Sequence, residues 1–363
     1  MSRPTLLFYI NSLHRGGAQR VMVQLAGRFA REGFRTVLVT SFQEAAEYPL
    51  PEGVERRNLE NGPAPKGSFR RNVSRIRALR GLLREYRPEV LIAFMAEPNF
   101  RAVLAAAGLS VKTLISVRND PEREYAGRLF RFVGQHVLPR ADFCVFQTEQ
   151  ARAWFPESLQ KKSAVIQNQV DARFFDRPAV KDARDIVAVG RLTAQKNHAG
   201  LLRAYAKLGP TAERLVIYGE GEEREKLEAL IRELGLEGRA LLPGLCEDVP
   251  AAIAGAKLFV LSSDYEGMPN ALLEAMALGL ACIATDCPCG GPAEIIEDGK
   301  NGLLVPVGDE AALSAAMRRL LEDEDARRAL GRNAKESAER FRPEAVFARW
   351  LACVNALLAG KER

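Results

Sequence analysis

The chain has 363 residues, too many for one ordinary core and enough for two domains of common size. Its 47% apolar and 27% charged residues, with no low-complexity tract, are the composition of a soluble globular protein, with disorder expected only at the ends. The formal net charge of +6 is uneven: residues 1–175 carry 27 Lys and Arg against 16 Asp and Glu, the remainder 25 against 30. A basic first half suits solubility, nucleic acid, an anionic membrane surface or phosphorylated substrates, and charge alone does not choose among them. No stretch approaches the roughly 18 uninterrupted apolar residues of a membrane span. The start, MSRPTLLFYINSLHRGG, breaks into a polar glycine loop before a secretion signal could form. The six cysteines are scattered, and Cys287-Pro-Cys289 is the one close pair. None of the three histidines is near it, so cytosolic thiols rather than a zinc site are expected.

In chain order, TLLFYIN is followed by helical AQRVMVQLAGRFAREG, then TVLVT, a polar loop, helical SRIRALRGLLREY, VLIAF, helical NFRAVLAAAG, TLISV and DFCVFQT. Continuous apolar strands separated by amphipathic helices predict a parallel sheet covered on both faces. The pattern pauses at NQVDARFFDRPAVKDARD and resumes with DIVAVG, RLVIYG, RALLPG, KLFVLSS, ACIATD and NGLLVP, so a second α/β lobe is expected to begin near residues 175–185. The last stretch, RPEAVFARWLACVNALLAGKER, puts Val346, Trp350, Val354 and Leu357 on one helix face, which must pack somewhere. Open α/β sheets bind ligands beyond the carboxyl ends of their strands, so functional residues are sought in the loops that follow strands.

Three such loops stand out. After the first strand, Ser12-Leu-His-Arg-Gly-Gly-Ala-Gln-Arg20 opens a helix, and Gly16 and Gly17 let backbone N–H groups approach an anion at its positive end. The competing reading is a plain glycine turn. The loop is not G-x-G-x-x-G, and no acid follows the second strand as a nicotinamide cofactor would require. In the second lobe, Gly190-Arg-Leu-Thr-Ala-Gln-Lys-Asn197 follows DIVAV, so Arg191 and Lys196 emerge at a strand end: a fork and a point charge suited to a diphosphate, or else two solvated cations. After KLFVLSS comes the stretch Asp264-Tyr-Glu-Gly-Met-Pro-Asn-Ala-Leu-Leu-Glu274. Pro269 is predicted at the first helical position, which leaves Glu266 in the loop and puts Glu274 in the second turn, with the backbone of Gly267, Met268, Pro269 and Asn270 between them. A loop acid and a helix acid so placed can touch two parts of one extended ligand. The acidic run Glu322-Asp-Glu-Asp325 lies between helical segments and reads as a solvated helix end.

Together with Ala284-Thr-Asp-Cys287 and Asp298-Gly-Lys-Asn-Gly-Leu-Leu-Val305, these segments resemble glycosyltransferase family 4, retaining nucleotide-sugar transferases of GT-B fold. The likeness covers nearly the whole chain; its specific part is the pair of glutamates with its flanks. It implies an α/β architecture of two doubly wound Rossmann-like domains facing each other across a cleft. Residues 1–175 would bind the acceptor and 176–342 the nucleotide sugar, and 343–363 would form a helix packing back on the first domain. It further implies that Glu266 holds hydroxyls of the donor sugar and Glu274 those of the ribose. Arg191, Lys196 and the amide of Gly17 would neutralise the departing diphosphate, and Tyr218, Gly219, Gly221 and Leu245 would hold the nucleoside. Cations and amides set in place beforehand then act as the electrostatic catalyst, so neither a metal nor a cofactor is expected.

The chain also departs from the family. Many members have a histidine after the fourth strand where Val117-Arg-Asn-Asp-Pro121 stands here, and Arg118 cannot serve as a general base. Either the donor phosphate deprotonates the acceptor, or Arg118, with Asn119, binds an acceptor phosphate. Gln169 stands where Gly or Pro is usual. A closer likeness to bacterial transferases that build lipid-linked oligosaccharides, N-acetylgalactosamine transferases among them, implies a polyprenyl-diphosphate-linked glycan as acceptor and a UDP-N-acetylhexosamine as donor. A UDP-hexose is the alternative. It also implies work at the cytoplasmic face of a membrane, with no nucleic acid partner. A non-catalytic binding protein of the same fold is the other class considered, and the presence of Arg191, Lys196 and Glu266 favours the enzyme. In residues 69–87, Arg70, Arg77, Arg80 and Arg84 fall on one helical stripe opposite Ile76, Leu79, Leu82, Leu83 and Tyr86. Against the reading of a merely solvated surface, the likeness to lipid-linked-oligosaccharide transferases implies that this stripe holds the acceptor diphosphate, and its cations opposite an apolar face would suit anionic lipid.

Overall fold

The apolar runs pair as parallel strands in the computed structural model, which describes residues 3–14, 16–60, 67–177 and 183–360. Contacts gather the chain into two units, Met1–Asn168 with Val346–Arg363, and Gln169–Ala345. Residues 178–182 of the expected linker and 361–363 of the terminal stretch lie outside the described residues.

Among the described residues the first unit holds β1 (Thr5–Ile10), β2 (Arg35–Thr40), β3 (Val54–Asn58), β4 (Val90–Phe94), β5 (Lys112–Ser116), β6 (Phe143–Phe146) and β7 (Ser163–Val165), in the order β3-β2-β1-β4-β5-β6-β7. Two of these strands escape a reading of the apolar runs. β3 is VERRN, with a single apolar residue, and β7 has three residues; both sit at an edge, where one side of the ladder is open and little burial is required.

The period-2 alternation of β1 divides its side chains between two covered faces. Leu6, Phe8 and Ile10 meet Phe29 of the helix Gly17–Arg31 together with Trp350 and Val354 of the helix Pro343–Ala359. Leu7 and Tyr9 meet Leu79 and Leu83 of the helix Ser68–Tyr86 and Ala102 and Ala105 of the helix Ala96–Ala106. The terminal helix is thus a core member of this unit: Trp350 packs against Phe94 with ring centroids 5.6 Å apart, and Phe347 against Phe29 at 4.9 Å.

Among the described residues the second unit holds β8 (Ile186–Val189), β9 (Leu215–Tyr218), β10 (Ala240–Gly244), β11 (Leu258–Leu261), β12 (Ala281–Thr285) and β13 (Leu303–Val305), in the order β10-β9-β8-β11-β12-β13. One face packs on the helix Asn270–Leu278, and the other on the helices His198–Ala206 and Glu310–Glu322. Phe174 and Phe175 join the first of these clusters, so the division between the units falls at 168/169 rather than at 175/176. Asp323, in the acidic run, caps the helix Glu324–Ala338 by accepting from Ala326 N at 2.9 Å.

Candidate functional site

In the second sheet β8 and β11 are neighbours, and the connections from them lead in opposite directions, to β9 and to β12. Such a reversal opens a crevice beyond the carboxyl ends of the two strands. The loop after β8 carries Arg191 and Lys196, and the loop after β11 carries Glu266. Four hydrogen bonds stitch the two loops together. Asp264 N donates to Gln195 O at 2.9 Å, and Gln195 Nε2 to Tyr265 O at 3.0 Å. Asn197 Nδ2 donates to Asp264 Oδ1 at 2.8 Å, and Ser262 Oγ to Lys196 O at 3.0 Å.

Held this way, the Lys196 ammonium forms an ion pair with the Glu266 carboxylate, which also accepts from Ser263 Oγ at 2.7 Å. The two side chains are only 14% and 8% exposed, so Lys196 is not a solvated cation. Arg191 is exposed and enters no ion pair among the described residues. The backbone of Glu266 is fixed from behind: its N–H donates to Pro288 O at 2.7 Å, and its carbonyl accepts from Cys289 N at 3.0 Å. The Cys287-Pro-Cys289 turn therefore serves as a buttress. Burial first, then the charge of Glu266, pushes the Cys287 thiol up to about 12. Among the described residues no three His, Cys, Asp or Glu side chains gather in a way that could hold a metal ion. Gly291 packs onto the same loop so closely that a Cβ there would lie 1.8 Å from Gly267 O, which leaves room for glycine alone.

Helix Asn270–Leu278 begins one residue later than predicted, with Pro269 at the N-cap. Gly267, Met268 and Pro269 are buried and Asn270 is half-buried. Glu274, in the second turn, is buried, as Glu266 is. The loop after β9 runs beside the β8 loop: Gly190 N donates to Tyr218 O at 3.0 Å and Leu192 N to Glu220 O at 2.9 Å. A Cβ at Gly219, whose φ is +152°, would stand 1.8 Å from Gly190 O. Close packing of the two loops accounts for that glycine, and the same holds for Gly221. Tyr218 is half-buried, and Leu245, beyond β10, is 76% exposed.

His198 lies in none of the motifs read from the sequence. It starts the helix that follows Lys196 and is 5% exposed. Burial, then the charge of Lys196, pushes its pKa down to about 4, so it is neutral near pH 7.

In the first unit the same reversal occurs between β1 and β4. Gly16 is the N-cap of the helix that Gly17 begins, and Arg15 lies outside the described residues. His14 Nδ1 lies 2.9 Å from Ser12 Oγ in the same loop. After β5, Arg118 is buried over the Phe94 ring, 4.7 Å from its centroid, and its Nη2 donates to Asn168. Its Nε and Nη1 have no partner among the described residues, and burial pushes the guanidinium down to about 9. It is not an open fork on the surface. Asn119 beside it is half-buried. Burial likewise pushes the Glu124 carboxyl up to about 7. Arg101, unremarkable in sequence, is 1% exposed and bonds Asn72 Oδ1 at 2.7 Å, Asn11 Oδ1 at 2.8 Å and Glu97 Oε2 at 2.5 Å.

The arginine stripe is corrected by the packing. Arg70, Arg77 and Arg84 are exposed and enter no ion pair among the described residues. Arg80 instead donates to Ala105 O at 2.8 Å and Ala107 O at 2.7 Å, capping the carbonyl end of the neighbouring helix. Arg75, outside the predicted stripe, is buried and pairs with Glu60 at 2.7 Å.

Residues 16–168 match the family described as glycosyl transferase 4-like domain, and residues 169–337 that described as glycosyl transferases group 1. Two proteins of Campylobacter jejuni are similar over almost their whole length. The N-acetylgalactosamine-N,N'-diacetylbacillosaminyl-diphospho-undecaprenol 4-alpha-N-acetylgalactosaminyltransferase is 29% identical, over 92% of this chain and 94% of its own. An alpha-1,4-N-acetyl-D-galactosaminyltransferase acting on a diNAcBac-PP-undecaprenol glycan is 28% identical, over 96% and 97%. Among solved structures, sucrose-phosphate synthase from Thermosynechococcus elongatus superposes with a TM-score of 0.86 at 21% identity, over 99% of this chain and 100% of that one. HepE of Anabaena, in complex with UDP, gives 0.83 at 18%, over 97% and 100%. With its two parallel-sheet Rossmann-like domains and these matches, the chain belongs to the glycosyltransferases of GT-B fold, a glycosyl transferase 4-like domain followed by a group 1 domain.

Proposed function

We propose that the protein transfers an N-acetylhexosamine, N-acetylgalactosamine foremost, from its UDP-sugar to a polyprenyl-diphosphate-linked glycan, with retention of the anomeric configuration. The observation that carries this reading is the stitched pair of loops beyond β8 and β11, which sets a half-buried ammonium beside a buried carboxylate. Departure of the leaving group puts negative charge on a diphosphate and positive character on the sugar ring. Lys196 and Arg191 would act on the first, and their positions need no rearrangement as the charge develops. Glu266 would receive hydroxyls of the sugar, and Glu274 those of the ribose, with Tyr218 and Leu245 flanking the nucleoside. In this reading the two cations do the work that a metal ion would otherwise do.

The names of both Campylobacter relatives support the sugar and the diphosphate-linked acceptor, and the UDP complex of HepE supports the donor. The alpha linkage in both names supports retention, because UDP-N-acetylgalactosamine carries its sugar as the α anomer. A lipid-anchored acceptor calls for work at a bilayer. Helix Arg128–Phe132 supports this, exposing Leu129 (72%) and Phe132 (55%) beside Arg128 and Arg131, and Phe69, at the start of the arginine helix, is 78% exposed. Large apolar side chains set among arginines that enter no ion pair among the described residues suit an anionic bilayer surface. No helix among the described residues is long and apolar enough to cross a membrane.

The test is a thermal-shift screen of UDP-N-acetylgalactosamine, UDP-N-acetylglucosamine, UDP-glucose and UDP-galactose, followed by NMR of the product's anomeric proton. The largest shift is expected from UDP-N-acetylgalactosamine, with an α-linked product. Preference for a UDP-hexose would reject the sugar, and a β-linked product would reject retention.

A further inference from the structure

At the other end of the second sheet, where β8, β11 and β12 begin, lies a groove of about 700 Å³. The helix Glu324–Ala338 walls one side with Arg327, Arg328, Arg332 and Lys335, and Arg184 and Lys257, shortly before β8 and β11, also line it. The one acid among its lining residues is Glu324. This inverts the balance of the unit, for residues 169–345 contain 23 Lys and Arg against 30 Asp and Glu. A surface that was merely solvated would draw both signs in something like that proportion.

Half of these cations are already engaged. Lys257 pairs with Glu213 at 2.5 Å, Arg328 pairs with Glu324, and Arg327 Nη1 donates to Leu320 O at 2.8 Å. Arg184, Arg332 and Lys335 enter no ion pair among the described residues. The carbonyl end of helix Asn270–Leu278 opens into the same groove at Leu278 and Gly279, and it offsets only about half a charge. A net positive concavity is left, its floor lined by small and apolar residues such as Ala254, Ala256 and Ala281.

We propose that this groove is a second anion site, distinct from the one beyond β8 and β11, and that it takes a ligand carrying at least two phosphate groups. The volume lies in the range of small-molecule sites. The guanidinium forks of Arg184 and Arg332 match phosphate oxygens in pairs, and Lys335 adds a point charge. Three separated cations exceed what a monoanion needs. A ligand there would bridge the strand starts to the helix Glu324–Ala338 and so stabilise this unit by mass action. Free oligophosphate and a phosphorylated lipid headgroup offer the same chemistry, and the experiment separates them.

Tripolyphosphate is titrated calorimetrically, at physiological ionic strength, into the full-length protein, into Lys196→Ala, and into the triple variant Arg184→Gln, Arg332→Gln, Lys335→Gln. All three are also sedimented with vesicles containing cardiolipin, a lipid whose headgroup carries two phosphates. The melting temperature without ligand checks that each variant is folded. The wild type and Lys196→Ala are expected to bind tripolyphosphate alike, and the triple variant at least tenfold more weakly. Vesicle capture lost in the triple variant, with no tripolyphosphate binding by the wild type, would assign the groove to a headgroup. If the triple variant matches the wild type in both assays, or if Lys196→Ala alone abolishes tripolyphosphate binding, the second site does not exist.

Discussion

Lys196 and Glu266 are 70 positions apart, yet their ion pair is nearly enclosed. If the two cations act on charge that develops during transfer, Lys196→Ala and Arg191→Ala should each slow turnover by on the order of 3 kcal/mol of barrier while the protein stays folded. Steady-state kinetics beside circular dichroism checks this, and near-normal turnover in both variants would remove them from the reaction. His198 contributes a pH dependence of definite sign. The unfolded chain, with an ordinary value of 6.5, takes up a proton that the folded chain refuses until about pH 4. Its contribution to stability is therefore fully present above pH 6.5 and is lost as pH falls toward 4. The gap sets an upper bound of about 3 kcal/mol. In urea unfolding at pH 7 and pH 4.5, His198→Gln should show a smaller acid loss than the wild type; equal losses would mean that the imidazole is not held neutral.

At the scale of elements, the helices on one face of the first sheet differ in how their arginines are used. Arg80 and Arg101 are consumed by the fold, the first on helix carbonyls and the second on Asn11, Asn72 and Glu97. Arg70, Arg77, Arg84, Arg128 and Arg131 remain exposed. Helical periodicity reveals the stripe but not this division, because which guanidinium meets a neighbour's carbonyl depends on where helix Ala96–Ala106 ends beside it. The exposed apolar pair Leu129 and Phe132, on helix Arg128–Phe132, suits contact with a bilayer. Replacing both by Gln should weaken binding to phosphatidylglycerol vesicles several-fold and leave UDP affinity unchanged. Vesicle sedimentation and calorimetry measure the two; unchanged sedimentation would confine these side chains to ordinary surface.

For the whole molecule, the terminal helix shows how the chain's end is committed to its beginning. Trp350 is 1% exposed and packs on Phe94, so Trp350→Ala should cost about 4 kcal/mol of stability in urea unfolding. A loss below about 1 kcal/mol would show that the helix is not a core member. The amphipathic face of this helix was plain in the sequence, since a 3.6-residue period marks a surface that must be buried. Its partner was not, because periodicity carries no address.

The same distinction runs through the fold. Two parallel-sheet lobes follow from the sequence alone: unbroken apolar runs separated by amphipathic helices leave no other economical burial, and all six strands of the second unit were visible in this way. The edge strands β3 and β7 were not, because an edge needs neither length nor apolarity. The segments bearing Arg191, Lys196, Glu266 and Glu274 were legible as loops after strands and a helix start. Strand order decided that β8 lies beside β11, so that the loops after them meet, and strand order is a property of three-dimensional pairing. The cationic groove has no linear motif at all. Arg184, Lys257 and the four cations of helix Glu324–Ala338 come from three separated segments, joined only because their strand starts and helix share one end of a sheet. Local periodicity is set by neighbours in the chain and can be read from it; the meeting of distant charges is set by burial of the faces that carry them, which only the folded chain resolves.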